Sequence, residues 1–364
     1  MILFIIILII VVVAVYVFLQ QPIFGRKPAG ARLQRVLNSP NFREGQFQNE
    51  HHTPSLTGDA SYLRVMKEFF FSPKIRRTPS KIFPTKKTNL LQLSPEQNVL
   101  VWFGHSSYFL QVERKKILVD PVFSGHASPV SFTTRSFPGT DIYSTDDLPE
   151  IDLLILTHDH YDHLDYKTIV QLKPKVRKII TSLGVAAHLE RWGYDHNTII
   201  ETDWNETLEL KNGFRIISTP ARHFSGRIFK RNGSLWSSFV LQTPARKIFI
   251  GGDSGYDDHF ARIGQQHGPF ELAILENGQY NQYWKFIHMM PEETVQAAFD
   301  LRARKLLPVH WGKFSLSLHP WDEPIIRIVL EAEKRNLPLL HPMIGEAVFL
   351  DQPGVSVKWW EGIE

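Results

Sequence analysis

The chain has 364 residues, 43% hydrophobic and 21% charged, which is enough for a packed core and excludes wholesale disorder. Lys and Arg number 41 against 37 Asp and Glu, a formal charge of +4 that is slight for this length, so nucleic acid is not an expected partner. Cysteine is absent, which removes disulfides, thiolate nucleophiles, Cys-ligated zinc and iron–sulfur clusters together and leaves 16 histidines and the carboxylates to hold any metal.

Met1 to Leu19 are all apolar or aromatic, and Gln20 and Gln21 end the run. As a helix this run spans roughly 28 Å, close to the hydrocarbon thickness of a bilayer. No Lys or Arg precedes it, and it closes on Tyr16, Val17, Phe18 and Leu19 rather than on a small-residue cleavage site. Residues 1–20 therefore read as an uncleaved transmembrane anchor in contact with the lipid bilayer. Arg26, Lys27, Arg32, Arg35 and Arg43 come before the first acid, Glu44, and this basic flank predicts a single-pass protein with its main domain on the cytoplasmic side. Residues 21–95 read as a basic, Pro-containing juxtamembrane region. Within it Lys74, Arg76, Arg77, Lys81, Lys86 and Lys87 fall together with no acid among them, as either a solvated face or a contact with anionic headgroups.

A domain from residue 96 to the end has a different texture. Strands are predicted at 99–103, 108–112, 116–120, 152–157, 215–219, 236–242, 247–251, 272–276 and 347–350. Helices are predicted at 166–172, 185–192, 292–304 and 324–335. Strand-rich halves separated by helices predict a layered α/β protein.

The strongest local signal is His158-Asp159-His160-Tyr161-Asp162-His163, directly after a predicted buried strand. So much polarity in a few residues cannot be core packing. Imidazole with carboxylate is a ligand set for a borderline metal, usually zinc. A pair of metals would need further ligands, and three candidates follow later predicted strands: His223, Asp253 and His310. Asp159 points away from such a centre by strand alternation if His158 and His160 point toward it.

On these residues the sequence resembles the metallo-β-lactamase superfamily, whose H-x-H-x-D-H signature is matched by His158, His160, Asp162 and His163. Within it the chain is similar to the N-acyl phosphatidylethanolamine-hydrolysing phospholipase D group. The strings that carry this are Trp102-Phe-Gly-His-Ser-Ser, Leu118-Val-Asp-Pro-Val-Phe-Ser, the 156–165 run, Gly268-Pro-Phe, His288-Met-Met-Pro-Glu-Glu and His310-Trp-Gly-Lys-Phe. Glu276-Asn277-Gly278-Gln279-Tyr280 departs from the apolar, Pro-containing loop of that group. The resemblance implies an αββα sandwich with two Zn2+ ions at one edge. It implies that His158, His160 and His223 hold the first, that Asp162, His163 and His310 hold the second, and that Asp253 bridges them. It further implies attack on phosphorus or carbonyl carbon by a hydroxide shared between the metals, with Asp162 and Asp253 as catalytic ligands.

His288 is a candidate to protonate a leaving group or bind phosphate. His105 either lines the site or bonds within its own turn, and Asp120 is placed to orient a ligand histidine. Tyr256 and Trp311 are read as pocket wall or core. His51, His52, His188, His196 and His259 are read as surface or structural. The expected activity is a membrane-anchored, dinuclear zinc phosphodiesterase acting on a membrane lipid. The alternatives are a lactonase or other hydrolase of soluble substrates, and a non-catalytic membrane scaffold.

Overall fold

In the computed structural model the first apolar run is one helix, α1 (Ile2–Leu19), with a mean hydropathy of 3.6 and no part of it buried. The structure describes residues 1–58, 60–73, 75–227, 231–352, 354 and 357–363; Lys74 of the basic cluster lies outside them. The chain does not leave α1 through a loose linker. The carbonyl of Gln20 accepts from Arg191, that of Pro22 accepts from Trp192 Nε1 at 2.7 Å, and that of Ile23 accepts from Arg227 Nη2 at 2.9 Å. Next come α2 (Gly30–Leu37) and a two-stranded hairpin, β1 (Phe42–Arg43) with β2 (Gln46–Phe47). Val36 and Phe47 are buried in a cluster with Leu183, Trp204, Leu235 and Trp236 of the following domain. A third helix, α3 (Tyr62–Phe71), has no buried residue. Part of the basic flank is also paired with the domain, since Arg32 bonds Glu190 at 2.6 Å and Glu201 at 2.8 Å.

The domain begins with β3 (Val99–Trp102), β4 (Tyr108–Val112), β5 (Lys115–Val119) and β6 (Ile151–Leu156). It continues through α4 (Tyr166–Leu172), β7 (Val176–Ser182), α5 (Ala186–Arg191) and β8 (Ile199–Thr202). The period of two decides the layers. Leu100, Leu110, Ile117 and Ile155 face a core shared with the second sheet, whereas Val101, Phe109, Leu118 and Leu154 pack against Ile169, Leu172 and Leu189 of α4 and α5. The second half supplies β9 (Thr207–Glu209), β10 (Arg215–Thr219), β11 (Ser238–Gln242) and β12 (Lys247–Ile250). After these come α6 (His259–His267), β13 (Leu272–Glu276), α7 (Pro291–Asp300), β14 (Leu306–Val309), α8 (Glu323–Lys334) and β15 (Ala347–Phe349).

The strand orders are β15-β3-β4-β5-β6-β7-β8 and β14-β13-β12-β11-β10-β9. Residues of α6, α7 and α8 such as Phe260, Val295 and Ile328 close the outer face of the second sheet. The result is an αββα sandwich. The predicted strands and helices are present, with ends displaced by a few residues at most, most of all at the C-terminus of α7, which stops at Asp300. Strands β1, β2, β7, β8 and β9 and helices α2, α3 and α6 were not anticipated. In β7 the exposed Arg177 and Lys178 interrupt the apolar run, because that end of the strand lies at the surface.

The hairpin that carries Phe47 is part of the fold, and this can be measured. In detergent micelles, Phe47→Ala lowers unfolding stability by about 3 kcal/mol, read from the denaturant midpoint, while Leu37→Ala at a half-exposed position costs less than about 0.5 kcal/mol.

Candidate metal centre

Strand β6 stops at Leu156, and residues 157–164 leave the sheet edge as an irregular turn until Asp165 caps α4, accepting from the Lys167 amide at 3.2 Å. His223 follows β10, Asp253 follows β12 and His310 follows β14, so separate strands of the second sheet aim at the same edge. Gly251 and Gly252 reach Asp253 by close approach. A Cβ at Gly252 would sit 2.5 Å from the Ser237 carbonyl oxygen, and one at Gly251 would sit 2.6 Å from that of Ile274. The expected sharp turn is therefore less important than the lack of room for any side chain. His105, Asp120 and His310 hold φ values of 52°, 39° and 68°, a concentration of left-handed backbone around one centre.

The first group is held by its far ring nitrogens. His223 Nδ1 donates to the Ile287 carbonyl at 2.8 Å. His158 Nδ1 donates to Thr157 Oγ1 at 3.0 Å, and that hydroxyl donates onward to Asp120 Oδ2 at 2.6 Å. These partners put both ring protons on Nδ1 and leave Nε2 as a lone pair. Yet His158 Nε2 lies 2.9 Å and His223 Nε2 3.2 Å from the same atom, His160 Nδ1. A neutral His160 has at most one proton there for two lone pairs, so hydrogen bonding alone cannot satisfy the three rings. A cation between them would.

The second group adjoins it. His163 Nδ1 donates to Asp120 Oδ2 at 2.8 Å, which turns His163 Nε2 toward Asp253 Oδ2 at 3.1 Å and Asp162 Oδ2 at 3.6 Å. Asp253 Oδ1 lies 3.1 Å from His310 Nδ1. His163 Nε2 and Asp253 Oδ1 are buried without a hydrogen bond, as ligand atoms would be. Donor atoms of His158, His160, His223 and Asp253 lie within 4.8 Å of one another, and so do those of His105, Asp162, His163 and His310. Asp253 touches both sets. The seven residues singled out from the sequence thus converge at one edge of the sandwich.

Burial lowers the pKa of His158, His223 and His310, keeping their lone pairs available. Burial acts the same way on His163, but Asp253, Asp162 and Asp120 outweigh it and raise that pKa well above the ordinary range. Asp253 is lowered to about 2, because His163 and its neighbours overcome the opposing effect of burial.

A family model described as a beta-lactamase superfamily domain matches residues 115–311. The chain belongs to the metallo-β-lactamase superfamily. It is a metal-dependent hydrolase by family. It is 36% identical over 326 residues to an uncharacterized protein of Mycobacterium tuberculosis, covering 88% of this chain and 87% of that one. It is 31% identical over 271 residues to an N-acyl-phosphatidylethanolamine-hydrolyzing phospholipase D of Caenorhabditis elegans, covering 68% of this chain and 76% of the relative. Among solved structures, a metallo hydrolase from Ignicoccus hospitalis superposes with a TM-score of 0.55 at 20% identity, over 70% of this chain and 98% of that one.

The structure also resolves the secondary candidates. Asp120 is the acceptor behind His163, as its position after β5 suggested. His105 is fully buried with Nε2 2.9 Å from Asp162 Oδ2, so it supports the site rather than its own turn. Asp159 turns away, as alternation requires, and accepts from Ser234 Oγ at 2.8 Å and the Gly226 amide at 2.7 Å. Tyr256 bonds Asp300 at 2.7 Å, and Trp311 stacks on Trp102 in the core, so neither lines the pocket. His51 pairs with Asp257 at the surface, and His196 is exposed.

His288 stacks on His310 with ring centres 5.1 Å apart, and its Nδ1 faces Glu276 Oε2 at 3.5 Å. Sequence reasoning noted the Glu276 loop only as a departure from the family pattern. Glu276 is almost wholly buried, its pKa is raised by burial to about 7, and it was missed as the partner of His288. Ser106, whose Oγ lies 2.9 Å from His310 Nδ1, was missed as well. A cavity of about 300 Å3 opens onto the cluster, walled by Tyr62, Val65, Phe224, Trp284 and Leu316, with Arg231 at its side.

The Asp120 acceptor gives a direct test of the ligand geometry. Asp120→Asn weakens divalent-metal retention about 10–100-fold, measured by chelator competition on the purified full chain, while His196→Ala leaves it unchanged.

Proposed function

We propose that this protein is a membrane-anchored dinuclear zinc hydrolase, a phosphodiesterase of phospholipase D type acting on N-acyl phosphatidylethanolamine-like glycerophospholipids. The observation that carries the reading is the double cluster around Asp253, open to a pocket whose walls are mostly apolar and which carries a cation. His158, His160 and His223 would hold one ion, Asp162, His163 and His310 the other, with Asp253 between them. Bound there, two divalent ions would lower the pKa of a water and neutralise charge developing on the attacked phosphorus.

The chain's own residues supply the rest. Arg231 presents an exposed guanidinium at the pocket, over the Phe224 ring at 4.6 Å, where a phosphodiester anion would pair with it. A neutral lactone has no use for that charge, which favours the phosphodiester over the lactone reading. Tyr62, Val65, Trp284 and Leu316 offer surface for acyl chains. His288, held against Glu276, is placed to give its proton to the departing headgroup oxygen. The relative's name supports the lipid assignment, and α1 together with the basic residues that follow it supports a single-pass protein with this domain on the cytoplasmic side.

The test uses the purified full chain in detergent micelles. It hydrolyses N-acyl phosphatidylethanolamine to phosphatidic acid and cleaves a soluble phosphodiester reporter, while a lactone panel is turned over weakly or not at all. Hydrolysis of lactones alone overturns the proposal. His160→Ala and Asp162→Asn each lower turnover at least about a thousandfold while the circular dichroism of the fold is retained. Full activity in either variant would contradict the assigned ligands.

A further inference from the structure

Helix α3 is an unusual surface element. Its inward stripe is Val65, Glu68 and Phe69, each half-buried, with Tyr283 donating to Glu68 Oε1 at 2.9 Å. Ser61 caps its start by accepting from the Arg64 amide at 3.2 Å, and Arg77 closes its end by donating to the Phe69 carbonyl at 3.1 Å. The helix is thus held against the domain. Its outward stripe is apolar as well: Leu63 is 79% exposed, Met66 56%, Phe70 61% and Phe71 82%. A helix on a water-facing surface puts polar residues there, and contiguous exposed Leu, Met and Phe mark an interaction site.

The surroundings identify the occupant. Lys67 on α3 and Lys81 after it are exposed cations and Glu68 is the one carboxylate of residues 61–82, while Arg76 pairs with Asp322 and Arg77 is buried against the Phe69 carbonyl. An apolar stripe flanked by cations fits the headgroup and upper acyl layer of an anionic bilayer. Position agrees with composition. Tyr62 and Val65 of α3 wall the pocket, and Arg231, which donates to Ser55 at 3.1 Å, joins that wall to the strand of chain before α3. On the other side of the 158–163 turn stands the foot of the anchor, where Arg227 donates to the carbonyls of Ile23 at 2.9 Å and Asp159 at 2.7 Å. The foot of α1 thus backs the 158–163 turn, whose other face lines the pocket beside α3, and the foot is bonded to the domain rather than swinging on a linker.

We infer that α3 is a second membrane attachment, inserting Leu63, Met66, Phe70 and Phe71 into the interface of the bilayer that α1 spans, so that the pocket mouth lies on the lipid surface. The inference rests on the lipid-substrate reading above. A diester lipid would then pass from bilayer to pocket beside α3 without crossing water.

The absence of cysteine makes the test clean. The full chain is reconstituted into phosphatidylethanolamine–phosphatidylglycerol vesicles with one environment-sensitive fluorophore, at Met66→Cys or at Lys211→Cys. Lys211 lies in the turn between β9 and β10, at the end of the sheet opposite the pocket. The label at 66 shifts to the blue and is quenched by brominated lipid, while the label at 211 behaves as in water. Leu63→Asp/Phe70→Asp/Phe71→Asp slows hydrolysis of a bilayer-embedded diester at least about tenfold and leaves a soluble diester reporter within about twofold. A label at 66 as aqueous as that at 211, in vesicles where the embedded lipid is turned over, overturns the docking and leaves the substrate reading intact. An immersed label with turnover of the soluble reporter alone supports the docking and removes the lipid substrate. Loss of both activities in the triple variant makes α3 a structural wall of the pocket and overturns the inference.

Discussion

Imidazoles and carboxylates do not gather in a protein interior without something to offset their loss of water. Here His158, His163, His223, His310 and Asp253 are each at most 3% exposed, and the Nε2 lone pairs of His158 and His223 both face His160 Nδ1. Removing polar groups from solvent is costly wherever, as at these near atoms, one side finds no hydrogen-bond partner. A pair of divalent cations reverses that balance by converting the repelling atoms into ligands. Much of the surrounding structure serves this arrangement. Strand ends from both sheets stop at the same edge, Asp120 and the Ile287 carbonyl fix ring tautomers, and glycines stand where no Cβ fits.

The opposite face of the 158–163 turn ties the centre to the foot of α1. The Arg26 amide donates to His188 Nδ1 at 3.0 Å, so His188 carries its proton on Nε2, which faces Asp159 Oδ2 at 3.3 Å. Asp159 lies between two ligand histidines but looks the other way. Arg227 adds bonds to the Asp159 carbonyl and, at 2.8 Å, to that of Leu164, bracketing the turn. The chain leaving α1 thus packs directly behind the residues that would hold metal. Under the proposal that α1 spans a bilayer, a domain held this way has a defined orientation to it, as a lipid hydrolase whose pocket opens at the surface requires.

The parts legible in the sequence were those with local spacing or a single dominant period. The H-x-H-x-D-H turn is contiguous, the first helix is uniformly apolar, and the central strands alternate or run apolar. His223, Asp253 and His310 were found because each follows a strand, and strands of one sandwich end at a common edge. The parts that escaped depend on distant segments. Nothing near Glu276 announces that it will meet His288, and Arg227 acquires its role from the carbonyls of Ile23, Asp159 and Leu164, the first lying two hundred residues earlier. Helix α3 is a short amphipathic helix that escaped because it lies within a stretch whose Pro and basic residues read as irregular chain.

The central claim is that the two clusters sharing Asp253 hold a pair of ions. Elemental analysis of the purified full chain tests this most directly. The account predicts roughly two equivalents of divalent metal per chain, zinc foremost, with both lowered in Asp253→Ala. A chain with one equivalent or none, or an Asp253→Ala variant that keeps both, would contradict it.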